Sequence, residues 1–237
     1  MIAVTPRPRR GREYLDDAGQ MDALVVRRLL GDVARANALF GGTRAVLAEL
    51  AHALRHVSAG RRSVTLLDVG TGRGDIPAAA TAWCRRHGVV LETLGIEKSE
   101  SLARIAADHT TVLSADALHL PFADRSVDVV MCSQVLHHFE RADAMAVLRE
   151  MHRVARRRVV VSDLHRSWLA AAGIWIASFP LRFHPVSRHD GVVSVLRGFT
   201  RGELGELVRQ SVGQDAHVRY RLGFRVTASW TPAGRDA

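Results

Sequence analysis

Residues 66–77 read LLDVGTGRGDIP: an apolar run ends on Asp68, glycines follow at 70, 72 and 74, and Asp75 opens a helix with Pro77 in its first turn. Glycines at a strand-to-helix turn let the backbone approach a ligand closely, at the carboxyl edge where open α/β sheets bind small molecules. A dinucleotide fold begins in a similar way, but it spaces its glycines GxGxxG and offers the helix start to a pyrophosphate. Here the spacing is GxGxG, and the carboxylate of Asp75 at the helix start repels an anion.

Outward from this loop, residues 63–163 alternate between β-rich runs and helical patterns. The runs are SVTLLDV, VVLETLGI, TTVLSAD, SVDVVMC and RVVVSD, and helices start at Asp75, at Ser99 and over 140–154. Such alternation predicts βαβ units and a parallel sheet covered on both faces. Glu97 ends the second strand, where it can accept both hydroxyls of a ribose, and Asp116 follows the third, within reach of an adenine amino group. That combination suits a nucleoside without phosphates. Asp128 reads as a structural strand-start residue and Glu100 as an exposed helix-start charge.

Two helices precede the first strand. Leu24, Val25, Leu29, Val33 and Phe40 recur at helical spacing until Gly41-Gly42, and Thr43 is expected to cap a second helix carrying Val46, Leu47, Leu50, Leu54 and Val57. The Pro/Arg-rich stretch before residue 20 is aperiodic and is expected to be mobile without a ligand. After Asp163 comes a segment, 164–198, that is apolar early (WLAAAGIWIASFPL) and polar late (RFHPVSRHDG). Thr200 and Glu203 then form a capping box, and HVRYRLGFRVTASW reads as two strands about Gly223.

At 237 residues and 47% hydrophobic, the chain has the length of one domain. We divide it into an N-terminal helical cap (1–60), a cofactor-binding core (61–163), a lid or substrate insertion (164–199) and a late helix with strands (200–237). No stretch has the apolar length of a membrane span and the start, MIAVTPRPRRGREY, lacks the core of a signal peptide. Cys84 and Cys132 form neither a disulfide framework nor a paired metal pattern, so a cytoplasmic location is expected. The formal net charge is +9, and Lys98 is the only lysine among 33 basic residues. Such a balance invites a nucleic-acid reading. Against it, an arginine-only basic set also follows from GC-rich coding, and thirteen aromatics (4 Trp, 2 Tyr, 7 Phe) leave little for bases to stack on.

The pieces LLDVGTGRGDIP, GIEKSE, SADALHLPFADRSVDVV, CSQVLHHF and LREMHRVARRRVVVSD, in that order over about a hundred residues, resemble the class I S-adenosylmethionine-dependent methyltransferases. The likeness is to the small-molecule branch that includes ubiquinone and menaquinone methyltransferases. It implies a Rossmann-like, seven-stranded, mostly parallel sheet with helices on both faces and a terminal antiparallel strand. It also implies S-adenosyl-L-methionine as cofactor. Gly70 and Gly72 would lie against its methionine portion, Glu97 would hold the ribose and Lys98 would border the adenine. Asp116 and Ala117 would read the adenine edge, and Ser133 would line the methionine end. Asp68 would fix the glycine loop and meet the amino group through water. Nucleic-acid base methyltransferases often carry a catalytic cysteine or an Asn/Asp-Pro-Pro-Tyr type motif after the fourth strand. CSQVLHHF stands there instead, so no nucleic-acid partner is expected.

Methyl transfer from a sulfonium is an in-line displacement that gains mainly from alignment, and only an acceptor with a proton to lose needs a base. His137 and His138 follow the fourth strand at the sheet edge, and either suits that duty, with His138 slightly preferred as nearer the open edge. Asp163, ending the fifth strand, could orient a histidine or a substrate hydroxyl, or cap the chain. No catalytic metal is expected, because HExxH, CxxC and a carboxylate cluster are all missing. Trp168, Trp175, Phe179 and Phe183 fall at helical spacing and read either as a helix packed into the core or, the preferred reading, as a hydrophobic lid over the acceptor. His184, His189 and Asp190 follow, with HDG read as a polar turn closing over the site or a second source of acid and base and His189 as a candidate substrate contact, and Tyr14 is a candidate to close over the donor. The expected partner is a small lipophilic acceptor, methylated on a phenol or hydroxyl oxygen in secondary metabolism. Carbon methylation of a quinone or polyketide ring is the alternative, and nucleic-acid-directed methylation ranks below both.

Overall fold

The computed structural model describes residues 5–6, 11–57 and 63–232. Residues 1–4 and 7–10 of the Pro/Arg-rich start therefore lie outside the described residues, as does the side chain of Val57. Seven strands form one sheet: β1 (Ser63–Val69), β2 (Val90–Glu97), β3 (Thr111–Ser114), β4 (Val127–Ser133), β5 (Ala155–Leu164), β6 (His217–Arg221) and β7 (Arg225–Trp230). Their order is β3-β2-β1-β4-β5-β7-β6. β1 to β5 run parallel, whereas β7 pairs antiparallel with both β5 and β6. The strand order reverses between β1 and β4, which opens a crevice at the carboxyl edge directly after the glycine loop.

The central strands are apolar on both faces because helices cover both. Leu66, Val129, Met131 and Val160 pack with Val46, Leu50 and Leu54 of α2 (Gly42–Val57) and Ile76 and Cys84 of α3 (Asp75–Arg86). Their sequence neighbours Leu67, Val130, Cys132 and Val161 point to the other face, against Leu148 and Met151 of α5 (Arg141–Val154) and Leu204 of α8 (Arg201–Val212). This two-residue alternation is the pleat itself. Asp128 is buried and structural: it accepts from the backbone N–H and hydroxyl of Thr65 and pairs with Arg156. Glu100, at the start of α4 (Glu100–Ala106), is exposed and paired with Arg104.

Several local expectations need correction. α1 (Ala23–Leu39) is followed by α2 two residues earlier than a Thr43 cap implies. Gly41 takes a φ of +80° close beneath the Leu222 carbonyl, and its own carbonyl accepts from Ala45, so the turn is complete before Thr43. Arg156, Arg157 and Arg158 lie inside β5, directly after α5, where Arg156 and Arg157 neutralise Asp128. His189-Asp190-Gly191 is no turn but part of α7 (Pro185–Arg197). Residues Tyr14–Gln20, expected to be aperiodic and mobile, form a 3₁₀ helix because the buried Asp190 carboxylate accepts from the backbone N–H groups of Tyr14 and Leu15, at 3.0 and 3.1 Å. The late elements follow the sequence closely: Thr200 and Glu203 form a capping box, and β6 and β7 flank Gly223.

Candidate active site

At the carboxyl end of β1 the loop from Gly70 to Gly74 is pinned to β2, since the N–H groups of Gly70 and Thr71 both donate to the Ile96 carbonyl. Gly70, Gly72 and Gly74 all have φ between +59° and +80°, and a Cβ on Gly70 would stand 2.5 Å from Val135. Only glycine fits that position. Open space lies over Gly72, where a Cβ would meet nothing within 4 Å. The Gly72 N–H donates to Glu97 Oε1 at 2.5 Å, so the carboxylate ending β2 is already aimed at the loop. Asp116, after β3, pairs with Lys98 at 2.8 Å, and that hydrogen bond holds its carboxyl below the ordinary range. Ala117 is half-buried next to it.

Three buried oxygens at this edge have no hydrogen-bond partner among the described residues: Asp68 Oδ1, Ser133 Oγ and, in register with Ser133 on β5, Ser162 Oγ. Asp68 Oδ2 accepts from the Thr71 hydroxyl at 2.8 Å. Burial pushes the Asp68 carboxyl up to about 8, against the Thr71 hydrogen bond and with Asp75 and Glu97 adding to the rise. Unsatisfied buried acceptors are costly, so a donor-bearing ligand fits here, a cationic one best.

After β4, residues Leu136–His138 form a short 3₁₀ turn whose carbonyls at His137 and His138 accept from Arg197 at 2.8 and 2.7 Å. That turn brings together the three residues singled out for chemistry. His137 Nδ1 donates to Asp163 Oδ1 at 2.6 Å, with both side chains buried. Burial raises the Asp163 carboxyl, but His137 outweighs it and the group sits below its ordinary range. A carboxylate can only accept, so Nδ1 carries the proton of this hydrogen bond. His137 Nε2 has no partner among the described residues and faces Glu13 Oε1 at 3.6 Å. His138 turns to Asp16, 2.6 Å from its Nδ1.

Glu13 is the residue that sequence patterning missed. It is buried, and burial raises its carboxyl above the ordinary range. It has no motif of its own and is brought here by long-range contacts of its segment, with Asp190 on the Tyr14 and Leu15 N–H groups and Arg197 on Glu13 and Asp16. Among the described residues, Glu13, His137 and His138 form the one grouping whose ligand atoms, all within 4.8 Å, are spaced for a metal ion. Arg197 supplies positive charge at that spot, 3.5 Å from Glu13 Oε1 and 3.0 Å from Asp16.

Glu13 also lines a cavity of about 310 Å³ bounded by α1, by α7 and by the inner face of α6 (Trp168–Ser178). Its wall is chiefly apolar, with Leu29, Phe40, Ile174 and Phe183 among the lining side chains; the polar exceptions include Gln134, Asp190 and Arg225. Arg225 is buried, donates to Gln134 Oε1 at 3.0 Å and has its guanidinium pushed down to about 10 by burial. The aromatic lid is arranged differently from the sequence expectation. Phe183 lies beyond the end of α6, after a left-handed Arg182, and is buried at the cavity. Trp168, Trp175 and Phe179 stand exposed and do not line it. His189 packs edge-on against Tyr14, with ring centres 5.0 Å apart, and bonds Asp190.

Residues 67–161 match the family described as "Methyltransferase domain". The chain is 33% identical over 171 residues to a demethylmenaquinone methyltransferase of Roseiflexus castenholzii, covering 66% of this chain and 69% of that one. A demethylmenaquinone methyltransferase of Roseiflexus sp. (strain RS-1) is 35% identical over 114 residues, 46% of this chain and 47% of the relative. The chain spans about half the length of the first of the curated relatives it matches. Among solved structures, the magnesium protoporphyrin IX methyltransferase of Synechocystis PCC 6803 with bound S-adenosylmethionine superposes with a TM-score of 0.52 at 15% identity, over 85% of this chain and 81% of that one. A methyltransferase structure from Methanococcus maripaludis gives 0.58 at 11% identity, over 87% and 93%. At these identities the likeness is one of fold.

Proposed function

The chain belongs to the class I S-adenosylmethionine-dependent methyltransferases, and on that premise we propose that it transfers a methyl group from S-adenosylmethionine to an oxygen of a small apolar acceptor held in the cavity of α1, α6 and α7. The observation that carries this is the pair formed by two of the unpartnered buried oxygens, Asp68 Oδ1 and Ser133 Oγ, at the edge where Gly72 and Glu97 meet. They suit the ammonium and carboxylate end of the donor, while Glu97 suits its ribose, and Asp116, Ala117 and Lys98 its adenine. Bound there, the donor supplies a sulfonium-activated methyl group. The protein's residues align the acceptor and take its proton. Asp163 fixes the His137 ring with its Nε2 toward Glu13, and Glu13, on the cavity wall, stands between that nitrogen and the acceptor. A hydroxyl proton taken by Glu13 can be shared with His137, whose imidazolium the Asp163 carboxylate stabilises. His138, tied to Asp16, is the alternative base. Arg225, buried beside Gln134, suits the developing oxyanion or a neighbouring carbonyl.

The apolar wall with few polar groups supports a phenol, hydroxyquinone or similar ring. Carbon methylation of such a ring is the second reading, favoured by the quinone-type relatives. The N-terminal helices and residues 164–199 are assigned acceptor choice, and secondary metabolism and a cytoplasmic setting belong to the same proposal. The test is calorimetric titration with S-adenosylmethionine, followed by incubation with phenols and quinols and detection of S-adenosylhomocysteine. Mass spectrometry of the product distinguishes oxygen from carbon methylation. Absence of donor binding would overturn the proposal.

A further inference from the structure

α6 has one face turned to the acceptor cavity, through Ala170, Gly173 and Ile174. Its other face is also apolar, yet exposed: Leu169 is 66% accessible, Ile176 67%, Trp175 48% and Phe179 48%. Leu169, Ala172, Ile176 and Phe179 follow at spacings of three, four and three, a single stripe along the helix. A surface helix of a globular protein normally puts charge on its outer face. Residues 168–181 carry none.

Cations frame this stripe. Between Leu164 and His189 there is no Asp or Glu; Arg166 is buried against Glu203, while Arg182 and Arg188 lie beside the stripe. Arg188 lies over the Phe179 ring at 4.4 Å. From α1, Arg28 donates to the Arg182 carbonyl at 2.8 Å and Arg35 to the Leu181 carbonyl at 3.3 Å, so two more guanidiniums gather at the carboxyl end of α6. The acid facing them is Asp32, buried and paired with both Arg28 and Arg35. Four arginines against one carboxylate leave a positive rim around an apolar stripe with an exposed tryptophan. An eleven-residue helix rises about 16 Å, half of a hydrocarbon core, so it can lie in a membrane surface but not cross it. No helix among the described residues is long and apolar enough to span a membrane.

We infer that the outer face of α6, with Arg28, Arg35, Arg182 and Arg188, is a docking surface for an anionic lipid bilayer. The apolar stripe enters the acyl boundary and the arginines meet phosphate headgroups. The surface stands independently of the methyl-transfer reading; only its consequence rests on it. Because the opposite face of α6 lines the cavity, an apolar acceptor dissolved in the bilayer reaches that cavity by passing around one helix.

The test is co-sedimentation of the full chain with phosphatidylcholine vesicles and with vesicles in which a quarter of the lipid is phosphatidylglycerol. Binding to the anionic vesicles is expected at least about tenfold tighter, weakening as salt is raised, with a blue shift of tryptophan emission. The double variant Leu169→Asp/Ile176→Asp should lose at least about tenfold in vesicle binding while Tm and S-adenosylmethionine titration stay unchanged; Arg182→Glu/Arg188→Glu should abolish the preference for anionic lipid. Binding to neither vesicle, or equal binding by the Asp variant, overturns the inference. So does a wild-type dimer that Leu169→Asp/Ile176→Asp converts to monomer without any vesicle binding, which would assign the face to a second copy of the chain. Vesicle binding without donor binding would leave the surface in place and remove the methyl-transfer reading.

Discussion

Replacing Asp68 by Asn tests the donor site through protons as well as affinity. The wild-type carboxyl, raised to about 8 by burial, is about nine-tenths protonated at pH 7. Facing the ammonium group of S-adenosylmethionine it must ionise, so binding should release about 0.9 proton at pH 7 and about 0.5 at pH 8. Asparagine keeps the Thr71 hydrogen bond through its amide oxygen but has no proton to give. The charge-assisted contact contributes roughly 1.5–3 kcal/mol, and ionising Asp68 at pH 7 costs about 1.4 kcal/mol of that. The affinity gap between the two proteins should therefore be a few-fold at pH 7 and widen by up to about tenfold as pH passes 8. Calorimetry at fixed pH in buffers of differing ionisation enthalpy gives the proton count directly. Equal proton release by wild type and Asp68→Asn, to within about 0.2 proton, would refute the pairing of this carboxyl with the donor. Stability has the opposite slope in the free protein. With the folded value raised, stabilisation from Asp68 is full below about 3.8 and is lost as pH rises through about 8, and Asp68→Asn should flatten that decline in Tm.

Gly70→Ala meets both a left-handed φ, costing about 1–2 kcal/mol, and Val135 at 2.5 Å; Tm should fall by at least about 4 °C and donor binding should drop, and an unchanged melt would contradict the loop geometry. Asp163→Asn leaves His137 bonded to a neutral oxygen and should lower turnover roughly 10²–10⁴-fold, with S-adenosylmethionine affinity within about twofold of wild type. Turnover kept at the wild-type level would remove Asp163 and His137 from proton transfer. Asp190→Ala strips the acceptor from the Tyr14 and Leu15 N–H groups, and hydrogen exchange at Tyr14–Asp17 should accelerate at least about tenfold; full protection would show that another contact holds the 3₁₀ helix.

How much of this was legible depends on the reach of each interaction. The glycine loop, the succession of strands along the chain through Asp163 and the capping box at Thr200 follow from spacings of a few residues, and pattern reading handles those well. The pairing of His137 with Asp163 was visible as two residues at one sheet edge, because parallel strands end side by side. Glu13 was not visible. Its place depends on Asp190, more than 170 residues away, reaching two backbone N–H groups. The same contact hid the nature of His189-Asp190-Gly191: a polar triplet looks like a turn until its carboxylate is seen to anchor another segment. Arg156 and Arg157 are the reciprocal case, since what places them is a buried Asp128 on the neighbouring strand.

The lid aromatics bear most directly on how acceptor and site meet. Helical spacing grouped Trp168, Trp175, Phe179 and Phe183 as one cavity-facing set, but the chain leaves the helix after Ser178 and turns back through Arg182, so only Phe183 goes inside. Small residues take the inner face: Ala170 and Gly173 leave the volume that bulky rings would fill. A helix that is small and apolar within and large and apolar without cannot be explained by core packing alone, because exposing Leu169 and Ile176 forgoes the roughly 1.5–3 kcal/mol that burying each would contribute. Something must cover that face when the protein works. The arginine excess, first met as a hint of nucleic acid, gathers in part at its rim, where phosphate on a lipid headgroup meets the same chemistry without asking for bases to stack.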